Sequence, residues 1–229
     1  MAINIGAYQE VLARLAPYHA RLVAVSKTKP VEDIAALYAA GQRIFGENYV
    51  QELTEKQAVL PADIEWHFIG HLQSNKVKYI APFVHTIHAV DSLKLLQEIN
   101  KQAAKQERII YCLLQVHIAM EETKFGMDQQ ELQQLLNTYK ANLPDFANVR
   151  IAGLMGMATN TNNETQVRRE FHQLHALFGS IKITYFNNES SFKELSIGMS
   201  ADYSIALQEG STMVRIGSLL FGERTYSQK

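Results

Sequence analysis

With 229 residues the chain is long enough to bury a substantial core, as one large domain or two small ones. Its formal net charge of −1 advertises neither a nucleic-acid nor an anionic-membrane partner, and no apolar run approaches membrane-spanning length. The lone cysteine, Cys112, excludes an intrachain disulfide or a cysteine-based zinc site, and Met1-Ala2-Ile3-Asn4-Ile5-Gly6 lacks the basic and apolar regions of a secretory signal. A cytoplasmic, soluble, monomeric protein with a buried structural Cys112 is the expectation.

Helical periodicity over residues 8–22 leads into a first apolar run, 22–26, which Pro30 closes ahead of a helical pattern at 31–40. Strand-like runs then fall at 43–46, 65–70, 86–90, 109–117, 150–155, 195–197 and 213–216. Helical patterns separate them at 49–58, 76–81, 92–105, 129–140, 164–178 and 201–208. Residues 179–193, polar at their centre (Asn187-Asn188-Glu189-Ser190-Ser191), are expected as a loop, with a short extra strand at 182–186 as the alternative. Alternating strands and helices imply right-handed βαβ units and a parallel sheet. Eight strands favour an α/β fold of the single (β/α)8 type, whose usual length is roughly 250 residues. It would form one domain over 1–229 behind an N-terminal helix. A doubly wound open sheet is the runner-up, weakened by the missing G-x-G-x-x-G.

Chemistry in such a fold belongs at the C-terminal strand ends. Lys27 follows the run Leu22-Val23-Ala24-Val25-Ser26, and alternation puts it on one face with Val23 and Val25. An amine in apolar surroundings loses its proton more easily and can become a Schiff-base nucleophile; a solvated strand-mouth lysine is the plainer alternative. The loops after the last two strands read Gly198-Met199-Ser200 and Gly217-Ser218, suited to an anion, though Ser200 also reads as an N-cap. Arg215, inside a buried strand, must have a partner. The spacings His67-x3-His71 and His85-x2-His88 carry no nearby carboxylate in a ligating pattern, so no metal site is expected.

Six blocks together are more specific than any of these. They are Val25-Ser26-Lys27-Thr28-Lys29-Pro30, Phe45 to Glu52, Trp66 to Lys76, Glu121 to Gly126, Leu195 to Ser200 and Arg215-Ile216-Gly217-Ser218. In this order they resemble the pyridoxal phosphate homeostasis family over nearly the whole chain. The resemblance implies a barrel of the alanine-racemase N-terminal-domain kind that carries pyridoxal 5′-phosphate (PLP) as a Schiff base. It assigns that bond to Lys27 rather than Lys29. Ser200, Gly217 and Ser218 would hold the phosphate, and Arg215 would face the pyridine nitrogen, making the ring a weaker electron sink. Asn48, His71, Met155 and Met157 are further cofactor-binding candidates, although Asn48 with Gln51 also looks like a cap and Met155 like core. Two departures are Ser218 where Thr is common and His117 where Asn is usual.

Alanine-racemase-type enzymes carry a second domain that helps supply an opposing catalytic acid, and about a dozen residues remain after Gly217. The expectation is therefore a PLP-binding protein in intracellular vitamin B6 and amino-acid homeostasis, without efficient racemase activity. Its partners would be PLP, PLP-dependent apoenzymes, and amino acids as weak ligands that displace Lys27. A PLP-dependent racemase or related enzyme is the alternative; a phosphosugar-binding barrel with a catalytic lysine and no PLP is a third reading.

Overall fold

The computed structural model describes residues 3–121 and 124–222. Eight parallel strands close into a barrel in sequential order: β1 Arg21–Val25, β2 Ile44–Glu47, β3 Glu65–Phe68, β4 Thr86–Val90, β5 Ile110–Gln115, β6 Val149–Met155, β7 Glu194–Met199 and β8 Met213–Ile216. The seam joins the first strand to the last, with Leu22 opposite Val214 and Val23 opposite Arg215. Helices cover the outside: α1 Ile5–Leu15, α2 Val31–Ala39, α3 Val50–Gln57, α4 Val77–Ile80, α5 Leu93–Ala104, α6 Gln129–Ala141, α7 Glu164–Tyr185, α8 Tyr203–Gln208 and α9 Ser218–Phe221. Local chemistry sets several starts. Asn4, Ser92 and Asn163 accept backbone N–H bonds as N-caps, and Asp128 with Glu131 forms a reciprocal capping box.

The main core lies between strands and helices, where Phe45, Leu114 and Ile197 meet residues such as Ile34, Leu37 and Phe171. Inside the barrel Ala89, Leu113, Ala152 and Met155 form a smaller apolar group, and a file of polar side chains runs beside it. His67 Nδ1 lies 2.9 Å from His88 Nε2, and His88 Nδ1 lies 3.1 Å from Ser196 Oγ. Arg215 Nη1 donates to that same Ser196 Oγ at 2.6 Å. This file runs from β3 through β4 and across to β7 and β8, so each buried polar group borrows its partner from another strand. Gly153 sits at a register shift between β5 and β6. A Cβ there would lie 1.7 Å from the Glu194 carbonyl oxygen, so the β6–β7 approach requires glycine.

Two sequence expectations need correction. The first helix begins at Ile5 and stops at Leu15, because Pro17 converts the next turn to a 3-10 helix over Ala16–Tyr18. Residues 179–185 are neither loop nor strand but the last two turns of α7. Leu174, Phe178, Ile181 and Tyr185 keep the helical spacing. The stacked rings of Phe178 on Phe192 and Phe186 on Phe192 hold that end down, with centroids 4.9 and 4.3 Å apart.

Candidate functional site

Lys27 follows β1 by two residues and sits in a tight turn. The Lys29 N–H bonds the Ser26 carbonyl, and Thr28 takes a left-handed φ of 63°. A non-glycine residue holds that conformation only when its surroundings fix it. They do so on both sides of Lys27. Lys56 Nζ, from α3, donates to the Ser26 carbonyl at 2.7 Å, and Glu52 Oε1 accepts the Thr28 N–H at 2.6 Å. Lys56 also pairs with Glu47 Oε1 at 2.8 Å and Glu52 Oε1 at 2.6 Å, while Ser26 Oγ donates to Glu47 at 2.6 Å. Burial pushes the Glu47 carboxyl up, and the Lys56 charge opposes that rise. Sequence reasoning missed this cluster; its one visible signal is the Glu52/Lys56 spacing of four on a helix.

A cavity of about 340 Å³ opens at the C-terminal end of the barrel. It brings together Lys27, Asn48, Met157, Ser200, Arg215, Gly217 and Ser218 from the sequence-based set. Val25, Lys29, Ile69, Met199, Ala201 and Gly222 complete the wall. Lys29 Nζ donates to the carbonyls of Phe221 and Gly222 at 2.8 and 3.1 Å, tying the β1 turn to the end of α9. Gly217 N-caps α9, and a Cβ there would come within 3.1 Å of the Val25 carbonyl. Any side chain would crowd the point where β8 opens to the cavity. Ser218 is the first residue of α9, where N–H groups lack intrahelical acceptors.

Three of the candidates are placed differently from their sequence readings. Ser200 is not a cap, since Asp202 takes the N-cap position of α8 and accepts the Met199 N–H at 2.6 Å. Asn48 is not a cap either: α3 starts behind Tyr49, which makes no side-chain cap bond. Met155 lies beneath the cavity in the lumen packing, whereas Met157 reaches the wall. His71 belongs to a neighbouring groove of about 780 Å³ that includes Tyr49, Phe68 and Tyr79 and shares Asn48 with the Lys27 cavity. There it lies 3.3 Å from Asp91 and stacks on Phe125 at 4.3 Å. His117 turns away to the Glu121 carbonyl at 2.9 Å. Within the block Glu121 to Gly126, Glu122 and Thr123 lie outside the described residues.

Arg215 fixes the electrostatics. It donates to the Ser196 carbonyl at 2.7 Å and the Gly156 carbonyl at 3.0 Å, besides Ser196 Oγ. Burial pulls its pKa down to about 10, against the charge of Asp202, so the guanidinium stays protonated at neutral pH. Asn48 Oδ1 is buried with no hydrogen-bond partner, an acceptor left over at the junction of groove and cavity.

A closed parallel barrel with a lysine after its first strand and an arginine in its last defines a class. The family described as "Alanine racemase, N-terminal domain" matches residues 4–225. The pyridoxal phosphate homeostasis protein of Aquifex aeolicus is 42% identical over 208 residues, 90% of this chain and 88% of that protein. PipY of Synechococcus elongatus, solved with PLP bound, superposes with a TM-score of 0.80 at 33% identity over 95% of this chain and 99% of its own. Alanine racemase of Bartonella henselae shares the fold at a TM-score of 0.70 and 19% identity, over 95% of this chain and 62% of the enzyme. The chain belongs to the pyridoxal phosphate homeostasis family.

Proposed function

We propose that this protein binds PLP as a Schiff base on Lys27 and serves intracellular PLP (vitamin B6) and amino-acid homeostasis. One observation carries the reading: Lys27, Ser200, Arg215 and the Gly217–Ser218 turn line one cavity, in a chain whose relative PipY was solved with PLP. The residues fit the cofactor. Gly217 leaves room for a close anion, Ser200 and Ser218 add hydroxyls, and the buried Asn48 Oδ1 awaits a donor. PLP brings an aldehyde that condenses with a lysine amine, forming the C–N double bond and releasing one water.

Lys27 supplies that amine; the bonds to Ser26 and Thr28 hold its turn still. Lys29 lines the same cavity, but its amine donates to two carbonyls of the C-terminal turn. Arg215, charged at neutral pH, would keep a pyridine nitrogen beside it unprotonated and so would discourage carbanion chemistry. The whole chain 1–229 acts as one PLP-binding domain, a cytoplasmic monomer that exchanges PLP with apoenzymes and with amino acids. Among the described residues no helix is long and apolar enough to cross a membrane.

Borohydride reduction followed by mass mapping tests the assignment. The adduct is expected on Lys27, lost in Lys27→Ala and kept in Lys29→Ala. An adduct on Lys29, or one that survives Lys27→Ala, defeats it.

A further inference from the structure

We propose that Glu65, His67 and His85 form a binding site for a divalent transition ion of the zinc class, at the end of the barrel opposite Lys27. Glu65 opens β3, His67 lies two residues on with its side chain on the same face, and His85 directly precedes β4. One donor atom from each lies within 4.8 Å of the other two. Glu65 Oε1 is 3.2 Å from His85 Nδ1 and 3.8 Å from His67 Nε2. Ligands about 2.0–2.1 Å from a tetrahedral zinc are spaced at close to these distances, so modest side-chain rotation completes the set.

The second observation is His67 itself. It is 0% exposed, and its Nε2 is buried with no hydrogen-bond partner while it points at this cluster. Its other nitrogen is already engaged. The site requires the tautomer in which His67 Nδ1–H donates to His88 Nε2, which would leave the His67 Nε2 lone pair directed at the ion. Such outer partners fix the tautomer of metal-bound histidines. Two imidazoles and one carboxylate select zinc, cobalt or nickel over magnesium or calcium.

The cluster faces a pocket of about 380 Å³, which leaves coordination positions for water or a small anion. Arg21, Lys193 and Glu194 line the same pocket, and Arg21 is paired with Glu194 at 2.8 Å, so that guanidinium does not confront the ion unopposed. His85 Nδ1 also lies 2.8 Å from Thr86 Oγ1, a bond that the ion would replace. The sequence spacings paired His67 with His71 and His85 with His88. The fold instead joins one histidine of each pair and adds a carboxylate.

The test is a Co²⁺ titration of the untagged full-length protein, read by visible absorption and calorimetry. One Co²⁺ per chain is expected, displaced by Zn²⁺. Affinity should fall at least tenfold in both Glu65→Gln and His85→Ala, which alter partly exposed positions and leave the buried His67 in place. His172→Ala, which removes the surface pair with Glu209, should bind as the native chain does. No Co²⁺ complex with the native protein, or native affinity in either Glu65→Gln or His85→Ala, overturns the site.

Discussion

Lys27 is held by its neighbours rather than by its own reach. Lys56 gathers the Ser26 carbonyl, Glu47 and Glu52 into one buried cluster, and Glu52 continues it to the Thr28 N–H. Lys56→Ala would leave Glu47 buried and uncompensated, and breaking such a pair costs about 3–5 kcal/mol. The expected outcome is an unfolding free energy lower by that amount, read from chemical denaturation, with slower borohydride trapping at Lys27. Unchanged stability would mean that water replaces the amine. Lys27 was legible because a strand end and a motif coincide there. Lys56 was not, since a lysine on a helix is ordinarily solvated and only the fold brings Glu47 beneath it. Asn48 misled for a related reason: Asn three residues before Gln looks like a cap, yet the helix begins two residues later.

Elements were read best where local pattern and tertiary packing agree. All eight strands appear close to their expected places, because each is a short apolar run bounded by turn residues. The end of α7 was missed because Ile181, Ile183 and Thr184 are β-branched and favour strands locally. Packing of Ile181 and the aromatic stack overrides that preference. Gly179 lies inside this helix, and a Cβ there would meet nothing within 4 Å. Gly179→Ala should therefore stabilise the protein by about 0.5–1 kcal/mol, through helix propensity alone. A chemical denaturation series reads this directly, and a loss of stability would contradict the helical assignment.

For the molecule as a whole, likeness to alanine racemases is a likeness of barrels, and the cavity decides the chemistry. Among the described residues no His, Tyr, Asp or Glu lines the Lys27 cavity, and little proton exchange on an amino acid offered to it is the expected outcome. Solvent-deuterium exchange at the α-carbon of L-alanine should stay below ordinary enzyme rates of roughly one to a thousand per second. Exchange with inversion at such rates would make the protein a racemase. The barrel and the residues around Lys27 were legible in sequence. The lumen was not, because a polar file through β3, β4, β7 and β8 has no signature within any one strand.

The seam between β1 and β8 has a further meaning for how the protein comes into being. Lys27 is synthesised well before Arg215, Gly217 and Ser218. A ribosome-bound chain thus carries the Lys27 amine long before the turn proposed to hold the phosphate, and loop-closure entropy delays the pairing of such distant strands. On the proposed assignment, firm capture of the cofactor would wait for the last strand to dock against the first. With Lys27 as the proposed attachment point, its occupancy would be a certificate of a finished barrel.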